Sequence, residues 1–154
     1  MKYIIPIVVI GILLFYFFLP ASNDNDDSRK IEIVLNNLIK SGERKDVNVV
    51  MEYFSPDYKD ASARTYPVIR NITKNAFDRF DVLEGGYSDL IVSTRENGNG
   101  EAETMANLNI WIKGIKKNTP YALIGTKDNP QNINIVFERL MLGGWKILNV
   151  EGLD

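Results

Sequence analysis

The sequence predicts an α+β fold, with three helices packed on one face of a curved, mostly antiparallel four-stranded sheet and one transmembrane helix in front. Three observations predict it. Apolar residues between Ile31 and Phe80 recur at helical spacing, those from Leu90 onward alternate with a period of two, and residues 3–19 carry no charge. The 154 residues are 45% hydrophobic and 25% charged with a net charge of -2, which fits one globular domain plus an appendage.

The chain contains no cysteine and no histidine. Disulfides, thiolate nucleophiles, histidine bases and Cys/His metal sites are therefore excluded. Asp24, Asp26 and Asp27 lack the glycine-punctuated loop of a calcium site, so no metal and no cofactor is expected. The near-neutral charge offers no basic patch for nucleic acid.

The uncharged run YIIPIVVIGILLFYFFL holds 17 residues. As a helix it spans about 25 Å, and Met1, Pro20 and Ala21 bring it near the roughly 30 Å of a bilayer core. It is apolar on every face, unlike a helix buried on one side. Residues 1–21 thus read as a transmembrane signal anchor, contacting the membrane through residues 3–19. Lys2 precedes the run and Asp24, Asp26 and Asp27 follow it, which places the soluble domain outside the cytoplasm, on a bacterial periplasmic or extracellular side. The alternative is secretion after signal-peptide cleavage, although Leu19-Pro20-Ala21 fits a cleavage site poorly. Residues 22–27 read as a flexible polar stalk, and residues 28–154 as the folded domain.

Ile31, Val34, Leu35, Leu38 and Ile39 form the stripe of a first helix that starts near Ser28 and stops at Gly42. Asp46 caps a second, carrying Val47, Val50, Met51 and Phe54, and Ser55-Pro56 ends it. Pro67 opens a third, whose stripe is Ile69, Ile72, Ala76, Phe77 and Phe80. After Gly85-Gly86 a strand runs through Leu90, Val92 and Thr94. Asn97-Gly98 turns it into a second, through Ala106, Leu108, Ile110 and Ile112. A polar loop with Pro120 and Asn129-Pro130 follows. Ile133, Ile135 and Phe137 make the third strand, and Gly143-Gly144 leads into a fourth with Trp145 and Ile147.

Three pieces together resemble the nuclear-transport-factor-2-like superfamily, whose members include SnoaL-like cyclases and scytalone dehydratases. They are Met51-Glu52-Tyr53-Phe54-Ser55-Pro56-Asp57-Tyr58, the alternating strand from Ala106 to Ile112, and the closing hairpin Phe137 to Val150 with Gly144-Trp145-Lys146-Ile147. The resemblance implies a cone whose sheet wraps the helices around a pocket. The hairpin that usually forms one pocket wall is reduced here to Asp57–Thr65.

An enzyme of this kind sets a carboxylate base against a donor in an apolar pocket. The available residues are Asp57, Asp60 and Asp78 as bases, with Tyr53, Tyr58 and Tyr66 as donors. Turn and surface roles suit the aspartates better, so the expected role is a non-catalytic binding or assembly module of the cell envelope. A small-molecule isomerase, dehydratase or cyclase using Asp57 or Asp60 with Tyr58 is the alternative. Tyr53, Tyr58 and Tyr66 are the candidate ligand-binding residues. Strict alternation puts Met105, Trp111, Val136, Leu140 and Leu148 on the outer sheet face. There they form a candidate interface for a second copy or an envelope partner.

Overall fold

A computed structural model describes residues 24–96, 102–142 and 144–153. The expected anchor over residues 1–21, the start of the expected stalk and the Asn97-Gly98 turn lie outside them. Helix α1 spans Asp24–Glu43 and so begins four residues ahead of Ser28. Residues expected as stalk are therefore helical from Asp24 onward. Asp26 and Asp27 suit the positive end of the helix, and Asp26 pairs with Lys30 one turn on at 2.5 Å. Helix α2, Val47–Glu52, is capped by Asp46, whose carboxylate accepts from the N–H groups of Asn48 and Val49 at 3.1 and 3.2 Å. Helix α3, Tyr66–Arg79, carries Pro67 in its first turn as expected.

The sheet has five strands among the described residues, not four. They are β1 (Val82–Glu96), β2 (Ala102–Lys116), β3 (Thr119–Ile124), β4 (Gln131–Arg139) and β5 (Trp145–Glu151). Their order is β1-β2-β4-β5, with β3 paired to the far half of β2 and every pairing antiparallel. The added strand β3 lies in the stretch read as polar loop. Its hairpin turns at Lys117-Asn118, with φ of 48° and 64°, the doubly left-handed turn that suits the twist of paired strands. Pro120 is tolerated because β3 is an edge strand.

β1 also starts earlier than expected and runs through Gly85-Gly86. Gly86 lies opposite Trp111, and a Cβ there would come within 2.9 Å of the indole.

The inner sheet face is the expected one. Leu108, Ile133, Ile135, Phe137, Trp145 and Ile147 join Ile31, Leu35 and Tyr58 in the main apolar cluster. A second cluster gathers Val50, Phe77, Phe80 and Leu83 at the other end of the helices. The segment after α2 is tied to β5 by backbone bonds. Ser55 N–H donates to the Ile147 carbonyl, and Ile147 N–H to that of Tyr53, both at 2.8 Å.

Gly114 lies beneath the Phe80 ring, where an added Cβ would meet ring carbons at 2.6 Å. Gly114→Ala is expected to destabilise the fold by about 1–3 kcal/mol through overpacking. Phe80→Leu in the same chain should recover part of that loss, because the two sites share one contact. Urea unfolding of the two single variants and the double variant checks this, and strict additivity would refute it.

Candidate functional site

Helix α3 makes its principal inter-element contact with α2 and stands off the concave face of the sheet. The space left between them is a cavity of about 720 Å³. Its walls are mainly apolar, with Ile69, Ile72, Ala76 and Phe77 from α3, Ile110 and Ile112 from β2, and Ile133 and Ile135 from β4. Leu38 and Gly42, in the last turns of α1, close one side. Ile72 and Leu123 line the cavity yet are 48% and 39% exposed, so the space opens between α3 and β3. A volume of this size suits a small organic molecule. The short Asp57–Thr65 segment thus leaves a pocket in place, with α3 supplying the wall.

The lining also carries the polar side chains of Glu43, Thr73, Asn75, Arg79, Glu84 and Gln131, of which Glu43 is exposed at the end of α1 and Glu84 is paired with Lys113 at 2.7 Å. Tyr58 and Arg64 border the cavity, and behind them lies Asp60, 5% exposed. Tyr58 Oη donates to Asp60 Oδ2 at 3.2 Å, and Arg64 Nε donates to the same oxygen at 2.7 Å. Arg64 N–H donates to Asp60 Oδ1 at 2.9 Å, while Arg64 Nη2 reaches the Leu153 carbonyl at 3.0 Å. Burial alone would raise the Asp60 pKa. The backbone and side-chain bonds from Arg64, with its charge, outweigh burial and hold the carboxyl below the usual 3.8. Burial, and then the Asp60 charge, push the Tyr58 phenol well above its ordinary value. The cluster is a satisfied ion pair with a bound phenol. Both Asp60 oxygens already accept hydrogen bonds, and the Tyr58 proton points at Asp60.

The other expected site residues are scattered. Asp57 is exposed, with its N–H bonded to Ser55 Oγ at 3.1 Å. Asp78 is exposed and pairs with Lys74 at 3.2 Å. Tyr66 Oη donates to the Met51 carbonyl at 3.4 Å, and its ring packs on the main core. Tyr53 is half-buried. Of the three tyrosines, Tyr58 is the one that lines the cavity. Arg64 was missed in the sequence, where it is one cation in a polar stretch. Among the described residues no group of three or more acidic side chains is placed to hold a metal ion.

The outer sheet face differs from strict alternation. A register shift between Val136 and Phe137 leaves Leu148 without a cross-strand partner, and Leu140 falls in the turn beyond β4. Val136 is buried, while Met105 and Trp111 are half-buried. Between them Asn107, Asn109, Asn132 and Asn134 form a hydrogen-bonded ladder with amide contacts of 2.9 to 3.2 Å.

No family model and no curated protein sequence matches the chain. Solved structures match it in fold. A candidate scytalone dehydratase from Novosphingobium aromaticivorans superposes with a TM-score of 0.67 at 12% identity, covering 84% of this chain and 85% of its own. A candidate dehydratase of the NTF2-like family from Streptomyces avermitilis gives 0.62 at 11% identity, covering 82% and 94%. The helical cell shape determining protein Pgp2 from Campylobacter jejuni gives 0.60 at 15% identity, covering 77% of this chain and 38% of that longer one. The chain therefore has the NTF2-like cone fold.

Asp60→Asn removes the charge and leaves Arg64 without its partner. A loss of about 3 kcal/mol is expected, at the low end for a broken buried pair because the Arg64 side chain is 30% exposed. The Asp60 pKa is depressed on folding, so its contribution is present above 3.8 and fades as pH falls toward the folded value. Urea melts at pH 7 and pH 3 should show a smaller difference between wild type and variant at the lower pH.

Proposed function

We propose that this domain binds a small, largely apolar molecule in the cone cavity without transforming it, and does so outside the cytoplasm while held to a membrane by residues 3–19. One observation carries the binding reading. The cavity of about 720 Å³ is walled mainly by aliphatic and aromatic side chains; of the carboxylates around it, Asp60 is occupied by Arg64 and Tyr58, Glu84 is paired with Lys113, and Glu43 is exposed at the end of α1. A general base needs a free lone pair within reach of the substrate proton. Burial of apolar ligand surface, worth about 25 cal/mol per Å², supplies the affinity.

A second reading is favoured by the fold neighbours described as dehydratases. In it, Tyr58 and Asp60 eliminate water from a bound hydroxy compound after the ligand displaces Arg64. That reading requires Tyr58→Phe to abolish turnover while binding persists.

Ala76 lines the cavity from α3. In a chain beginning at Asn23, Ala76→Trp should fill the cavity and weaken binding of an apolar fluorescent probe by about tenfold or more, equivalent to about 1.4 kcal/mol. The unfolding midpoint should stay near that of wild type. Fluorescence titration measures the affinity, and equal affinities for the two chains would refute cavity binding.

A further inference from the structure

We infer that the tip of the β4–β5 turn, Leu140-Met141-Leu142, inserts into the same bilayer that holds residues 3–19, giving the domain a second membrane contact. The inference rests on the anchor reading for that segment.

The tip is chemically unusual. Tight turns favour glycine, proline, asparagine, aspartate and serine. This one, closed by Leu140 N–H donating to the Gly144 carbonyl at 2.8 Å, presents three successive large apolar side chains. Met141 and Leu142 are 106% and 102% exposed, and Leu140 is 38% exposed. Single exposed apolar residues are ordinary, but three together at a protruding tip need a non-aqueous partner.

Its location identifies the partner. Arg139, the last residue of β4, comes within 4.0 Å of Asp27 in the first turns of α1 and stacks on Trp145. The turn therefore lies at the end of the domain where α1 begins. From Leu19 to Asp24 the chain has five Cα–Cα steps, at most about 18 Å when fully extended. An anchor ending at Leu19 holds this end of the domain, apolar tip included, against the bilayer.

The surrounding charges are mixed. Arg29, Lys30, Arg139 and Lys146 are interspersed with Asp26, Asp27 and Glu138. Apolar insertion, not attraction to anionic headgroups, then drives the contact, so it is insensitive to salt. Two attachments also fix the domain's orientation. Leu38, which borders the cavity, is 14 residues along α1 from Asp24, about 21 Å from the membrane end. The cavity faces the aqueous phase.

The absence of cysteine makes a single introduced thiol a unique label. The full chain carrying Met141→Cys is labelled with an environment-sensitive fluorophore and reconstituted in phosphatidylcholine vesicles. Asp128→Cys, in the exposed loop at the far end of β4, serves as the distant control. Quenchers attached to the lipid acyl chains should reduce emission at position 141 but not at position 128, in low and high salt alike. Adding Leu142→Asp to the Met141→Cys chain should restore quenching by aqueous iodide. Iodide quenching of the original label, in a chain that resists carbonate extraction, would overturn tip insertion and leave the anchor standing. A chain released by carbonate would overturn the anchor and the insertion with it. Disulfide formation between two copies at position 141, without lipid quenching, would assign the tip to a protein contact and overturn the proposal.

Discussion

The fold depends on a short backbone clamp between the helices and the last strand. Ser55 N–H and the Tyr53 carbonyl bond to the carbonyl and N–H of Ile147 in a parallel bridge centred on Phe54, and Ser55 is completely buried at that point. Unpaired backbone groups in such a place would cost free energy comparable to the lost bonds. The clamp fixes the end of α2 relative to β5. The segment that follows it brings Tyr58 into the main core and Asp60 beneath it. It also fixes where α3 begins, and so how far that helix stands from the sheet. The cavity is a consequence of that distance.

The chemistry of the cavity follows from how the buried charge is managed. Asp60 could remain ionised in an apolar surrounding only with compensation, and the neighbouring chain supplies it through the Arg64 backbone and guanidinium. Compensation on this scale takes up three of the carboxylate's roughly four acceptor sites. What remains facing the cavity is mostly hydrocarbon, which discriminates by size and shape. Proteins sharing this fold put it to different ends, so the lining, not the architecture, has to carry a functional argument.

The domain is polarised along α1. One end combines the start of that helix, the Asp27–Arg139 contact and the apolar turn of β4–β5. The other holds the cavity and the β3 hairpin. The two ends differ in kind: one is an apolar protrusion, the other an apolar recess. An outer sheet face occupied by an asparagine ladder lies between them, with amides satisfying one another across β2 and β4. That face is wetter than the alternation of Met105, Trp111 and Val136 implied.

Local patterns were legible in the sequence because they need only neighbours along the chain. The stripe from Ile31 to Ile39, the Asp46 cap and Pro67 in the first turn of α3 each express a short-range rule, and each holds. The inner face through Leu108, Ile133, Ile135 and Phe137 was equally plain, because a half-buried strand writes its burial with a period of two. The β3 hairpin was hidden, since its left-handed turn uses Lys117-Asn118 in place of glycine. Gly85-Gly86 marked the expected start of the first strand but lies within it, where Gly86 makes room for an indole from the next strand. The start of α1 was displaced because aspartates that look like linker also suit a helix terminus. The Asp60–Arg64 pair and the cavity were decided only by the tertiary structure. A cavity is the space that packed elements fail to fill, and an ion pair's strength depends on the burial around it. Both are set by distances between segments, which no pattern along a single chain records.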